Sequence, residues 1–159
     1  MNNSYRMVVG VDGSEGGQRA LRWAVREAAG RGGTVHAVTA YTFDALDASD
    51  IRGPDAHRSS VEEVLAEQVA HAVADCPGAT VTTQVSFGTA PDVLVDAARR
   101  ADLLVIGSHG HGRLFHAVLG SVAEACTRAA PCPVVVVPVP HTEKAPDDSQ
   151  PSGIPSAIL

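Results

Sequence analysis

The chain has 159 residues, a formal net charge of −6 and 45% apolar residues, few of them aromatic, which suits one core of small side chains and leaves no room for a second full-sized domain. Eleven arginines scattered along an acidic chain argue against a nucleic-acid partner, and a single lysine, Lys144, rules out a P-loop and a Schiff-base lysine in the core. No apolar run approaches the roughly 18 residues of a membrane span and the N-terminus lacks a signal segment, so a cytoplasmic protein with no membrane partner is expected.

Arg6 to Val11 is a short β-branched run closed by Asp12-Gly13-Ser14, and Ala20, Leu21, Ala24, Val25 and Ala28 then recur at helical spacing as far as Gly30. Thr34 to Ala40 is a second strand, followed by an irregular stretch from Tyr41 to Arg58. Ser60-Val61-Glu62-Glu63 has the form of a capping box, with Val61, Val64, Leu65, Ala72 and Val73 predicted on the buried face of a second helix. Cys76-Pro77-Gly78 ends it. Thr80 to Val85 is a third strand, Gly88 to Pro91 opens a third helix that faces Val93, Leu94, Ala97 and Ala98 inward, and Asp102 to Ile106 is an almost wholly apolar fourth strand. Ser121 to Ala130 makes a last helix and Pro133 to Pro138 a last strand.

Five strands alternating with four helices, with continuous apolar runs in the central strands, predict an α/β fold: a doubly wound parallel sheet with helices on both faces. The domain is expected to occupy residues 1–138. Residues 139–159 turn to Pro, Ser, Asp and Lys and read as a disordered tail. Such a tail offers little apolar surface to offset the entropy of ordering it. Truncation after Pro140 is therefore expected to leave the melting temperature nearly unchanged, and a large drop would show that the segment packs on the domain.

Chemistry is most legible at Gly107-Ser108-His109-Gly110-His111-Gly112, directly after the fourth strand and leading to Gly120-Ser121 at the start of the last helix. In a doubly wound sheet this turn lies at the carboxyl ends of the strands, where ligands bind. Glycines let the backbone approach an anion, and a helix start supplies free amides and a positive dipole end. The same residues also suit a tight connection in which Ser121-Val122-Ala123-Glu124 is only a capping box. Asp12 fits either a ribose or water-mediated magnesium contact or an Asx turn with Gly13. His109, His111 and His116 lack a nearby carboxylate or cysteine that would complete a zinc set, and the three cysteines, Cys76, Cys126 and Cys132, suggest neither a disulfide framework nor a metal site. No G-x-S-x-G elbow appears, and no nucleophile, base and orienting group come together.

At these residues the sequence resembles the universal stress protein family. The family's signature, G-x2-G-x9-G-[S/T], is met by Gly107, Gly110, Gly120 and Ser121, and the segments Val8 to Ser14 and Ala130 to Pro138 are also similar to it. The resemblance, over roughly residues 4 to 138, implies a five-stranded sheet in the order 3-2-1-4-5, a homodimer, and ATP bound between the first and fourth strands. Val11, Asp12 and Ala40 would line the adenine and ribose side; Gly107, His109, Gly110, Gly120, Ser121 and Val122 would surround the phosphates, with Arg113 added as the cation nearest the turn. The dimer is expected through Val134, Val135, Val136 and Val137, an apolar run on an edge strand. An ATP-dependent regulatory or stress-response module with little or no catalysis is the function expected, against a slow ATPase or nucleotidyl- or phosphoryl-transfer enzyme, or an interaction protein with a vestigial pocket.

Overall fold

The computed structural model describes residues 4–42, 53–111 and 119–140. Strands β1 (Arg6–Gly10), β2 (Thr34–Tyr41), β3 (Thr80–Phe87), β4 (Leu103–Gly107) and β5 (Val134–Val137) alternate with helices α1 (Glu15–Arg31), α2 (Pro54–Ala74), α3 (Ala90–Ala97) and α4 (Ser121–Ala129). All neighbouring strands are parallel, in the order β3-β2-β1-β4-β5. The chain therefore winds outward from β1 in one direction and then the other, and β1 and β4 lie side by side where the order switches.

The two-residue alternation of the strands divides the core in two. Met7, Val9, Val35, Ala37, Leu103 and Val105 face α1 and α2, where they pack on Leu21, Ala24, Val25, Leu65 and Ala72. Val8, Val38, Leu104 and Ile106 face α3 and α4, against Leu94, Ala98, Ala123 and Cys126. Burial pushes the Cys126 thiol above its ordinary range, as it does that of Cys132. Cys126 is a buried core residue and Cys132 packs half-buried against that core, and both have little thiolate character.

Local signals place the helix starts that border the ligand side of the sheet. Ser14 caps α1, its hydroxyl accepting from the Gly17 N–H at 3.1 Å, and Thr89 caps α3 in the same way through the Asp92 N–H. The capping box expected at Ser60 does not form. Pro54 begins α2 about two turns earlier, behind Gly53 at φ 86°, and Ser60 sits inside the helix with its hydroxyl bonded back to the Ala56 carbonyl. The buried face is also narrower than expected. Leu65 and Ala72 are buried, Val61 and Val73 only partly so, and Val64 is 50% exposed. Adjacent helical residues are about 100° apart, and α2, unlike α1 with its buried pair Ala24 and Val25, buries a stripe too narrow to take both Val64 and Leu65.

Candidate functional site

At the carboxyl ends of β1 and β4 a cleft of about 240 Å³ opens between the β1–α1 turn, the first turns of α3 and α4, and the loop after β4. It is the place the topology offers, since neighbouring crossovers leave here to opposite faces of the sheet. Nine of the expected residues line it: Val11, Asp12, Ala40, Gly107, His109, Gly110, Gly120, Ser121 and Val122. Arg113 lies outside the described residues, as does His116.

One end of the cleft is apolar. Val11, Val38, Ala40, Leu94 and Ile106 line it, and Val11 is fixed from both sides: its N–H donates to the Val38 carbonyl at 2.9 Å and its carbonyl accepts from the Thr39 hydroxyl at 2.7 Å. Gly10 and Ala90 complete this wall. A Cβ at Gly10 would lie 2.9 Å from a methyl of Leu94, so glycine lets α3 close down on β1.

The other end is polar and built from backbone. Glu124 N–H is bonded to the Gly120 carbonyl, so the N–H groups of Ser121, Val122 and Ala123 precede the helical ladder and have no acceptor within α4. All three residues line the cleft. Gly120 is the N-cap, in extended conformation and without a side-chain cap bond, and Ser121 is the first helical residue. The capping box that the sequence offered at Ser121 as the alternative to an anion site is therefore absent. A cap must precede the helix, and that position belongs to Gly120, whose own N–H donates to the Ser108 carbonyl at 2.7 Å.

The three signature glycines have three different steric reasons, and none of them has a positive φ. A Cβ at Gly107 would stand 2.6 Å from the backbone of Gly16, because β4 and the start of α1 touch main chain to main chain. At Gly110 it would meet the Asp12 carboxylate at 2.6 Å, and at Gly120 the Ser108 carbonyl at 3.2 Å. Asp12 does form the turn with its own neighbours, its Oδ1 accepting from the Ser14 N–H at 3.0 Å and the Ser14 hydroxyl at 2.5 Å. It is the single formally charged side chain among the described residues of the cleft.

Reasoning from sequence placed Ser108 and His111 in the glycine turn without a role for either and missed Gly17, Val38 and Ile106 as cleft residues. Ser108 is buried and holds the loop: its N–H donates to the Val137 carbonyl, its hydroxyl accepts from the Val139 N–H at 3.2 Å, and His109 Nδ1 lies 3.1 Å from that hydroxyl. Val38 and Ile106 looked like ordinary strand core. Only the sheet order shows that they reach the cleft from the two strands that flank β1. Among the described residues no group of three metal-ligating side chains comes together, and no helix is long and apolar enough to cross a membrane.

The comparisons with known proteins agree with this architecture. A universal stress protein of Mycobacterium tuberculosis is 33% identical over an alignment that covers 99% of this chain and 59% of the relative. One from Mycolicibacterium smegmatis is also 33% identical, over 84% of this chain and 48% of its own length. The chain thus spans about half the length of these curated relatives. Among solved structures, a universal stress protein in complex with cAMP is 31% identical, with a TM-score of 0.64 over 84% of this chain and 95% of the other. The universal stress protein family model matches residues 4–138, which contain every strand of the sheet and the whole cleft, and the chain belongs to that family.

Proposed function

We propose that this protein is a cytoplasmic nucleotide-binding regulatory module that takes ATP, with magnesium, in the cleft between β1 and β4, and does little or no catalysis. The observation that carries the reading is the polarity of the cleft: an apolar end lined by Val11, Val38, Ala40, Leu94 and Ile106 that suits a base, and three helix amides without an acceptor in α4 at the other end for phosphate. A relative 31% identical over most of its length is described in complex with cAMP, which supports the adenine nucleotide as the ligand class.

The residues present fit a magnesium ion only as a companion of the phosphates. Asp12 places one carboxylate beside the anion end, and a divalent cation between it and a triphosphate would screen the repulsion. Asp12 would hold it through water, and the Ser121 hydroxyl and α4 amides would keep the phosphate oxygens. Mass spectrometry of small molecules released from denatured, freshly purified protein tests the reading. ATP or ADP at a substantial fraction of the protein concentration is expected, and a consistent absence of any adenine nucleotide would argue for a vestigial pocket.

The same reading includes a homodimer through β5. The carbonyls of Pro133 and Val137 accept from Leu104 of β4 and from Ser108 just after it, so by the alternation of a strand the backbone groups of Val134 and Val136 point to the open edge. Their side chains, like those of Val135 and Val137, pack on the two core clusters. A charged residue at Val135 or Val137 would therefore test the core and not the edge. Val136→Pro removes one outward N–H while sparing the ladder to β4. Sedimentation is expected to show monomers for this variant, and a dimer with unchanged dissociation constant would exclude the interface.

A further inference from the structure

The β1–α1 and β4–α4 turns meet over Asp12. The ring of His111 reaches back to the Asp12 carbonyl, with Nε2 2.6 Å from the oxygen, across 99 positions of sequence. A carbonyl only accepts, so Nε2 carries the proton in this contact. One residue earlier, the backbone of Gly110 lies so close to the Asp12 carboxylate that a Cβ would fall 2.6 Å from Oδ2. The turn thus lies against Asp12 at both its carbonyl and its carboxylate, and the hydrogen bond that holds it there is the one from His111. Asp12 is itself fixed by Ser14 through Oδ1. Gly13 beside the clasp has φ +83°, so glycine is required there by the backbone of the β1–α1 turn and not by crowding.

We propose that His111 is a positioning residue that clasps the glycine turn to the β1–α1 turn before any ligand arrives, and so preorganises the phosphate end of the cleft. As to the ligand, this rests on the nucleotide reading; the clasp itself needs no ligand. Ordering several loop residues opposes binding, and a contact already made in the free protein removes part of that opposition. The proton on Nε2 is directed at a neutral carbonyl and not at the anion site.

The test compares wild type, His111→Ala and His111→Gln by amide hydrogen exchange without nucleotide and by calorimetry with magnesium-ATP. Glutamine keeps a neutral N–H donor of similar reach. His111→Ala is expected to speed exchange in the Ser108–Gly110 turn about three- to tenfold and to weaken ATP by a similar factor, as loss of one neutral hydrogen bond implies. His111→Gln should recover most of both. Two results would overturn the clasp: exchange unchanged in His111→Ala, or affinity lost equally in both variants with a steep salt dependence, which is the signature of an imidazolium on phosphate. If wild type binds no ATP, the nucleotide reading fails, and the exchange rates alone decide the clasp.

Discussion

Gly107→Val is expected to destabilise the whole domain by roughly 3 kcal/mol or more, with loss of the folded state at moderate temperature. The new Cβ would stand 2.6 Å from the Gly16 carbonyl carbon and 2.7 Å from its oxygen. These are backbone atoms of the first turn of α1, which no side-chain rotation can move aside. Gly16→Ala should behave similarly, since its Cβ would overlap the His109 carbonyl oxygen. Gly30→Ala is the internal control. Nothing lies within 4 Å of its Cβ position, it sits in the last turn of α1, and it should stabilise the protein by about 0.5 to 1 kcal/mol. Thermal melts of the three variants check the contrast. A Gly107→Val protein as stable as wild type would mean that β4 and α1 are not in main-chain contact.

The second large effect is expected on binding. Ser121→Ala should leave stability almost unchanged, because Ser121 is not the N-cap of α4 and its exposed hydroxyl completes no cap. If that hydroxyl bonds a charged phosphate, the loss is about 1.5 to 3 kcal/mol, or roughly a ten- to hundredfold weaker dissociation constant. Gly110→Val and Gly120→Val should weaken ATP further. The added side chain would press on the Asp12 carboxylate in the first case and on the Ser108 carbonyl in the second, closing the cleft around the phosphate position. Calorimetry and thermal melts on the same samples separate the two roles: a melting temperature that falls with Ser121→Ala while affinity holds would return the serine to a structural part.

Much of the fold was legible because its local signals agree with one another. The apolar run of β4, the serine and threonine ahead of α1 and α3, and Pro91 in a first helical turn all point to the elements that form. The overturned box at Ser60 and the alternative box at Ser121 fail for one reason. Ser60 and Ser121 each match S-x-x-E, but a helix begins at the first residue able to start it, and Gly53-Pro54 and Gly120 come earlier in the chain. The glycine spacing at 107, 110 and 120 located the turn without explaining it, since Gly107 answers to Gly16 and Gly110 to Asp12, both some 90 residues away or more. The resemblance to a family supplied the sheet order, which periodicity alone could not. With that order, Val38 and Ile106 become cleft residues; without it they are two more apolar positions in strands.

Titration calorimetry of the wild-type protein with ATP, ADP and adenosine, each with magnesium, tests nucleotide binding at the glycine turn most directly. Affinity is expected to rise from adenosine through ADP to ATP, because each added phosphate brings charge toward the free amides of Ser121, Val122 and Ala123. Heats indistinguishable from dilution for all three ligands at millimolar concentration would contradict it, and equal affinities for all three would take the phosphates away from the glycine turn.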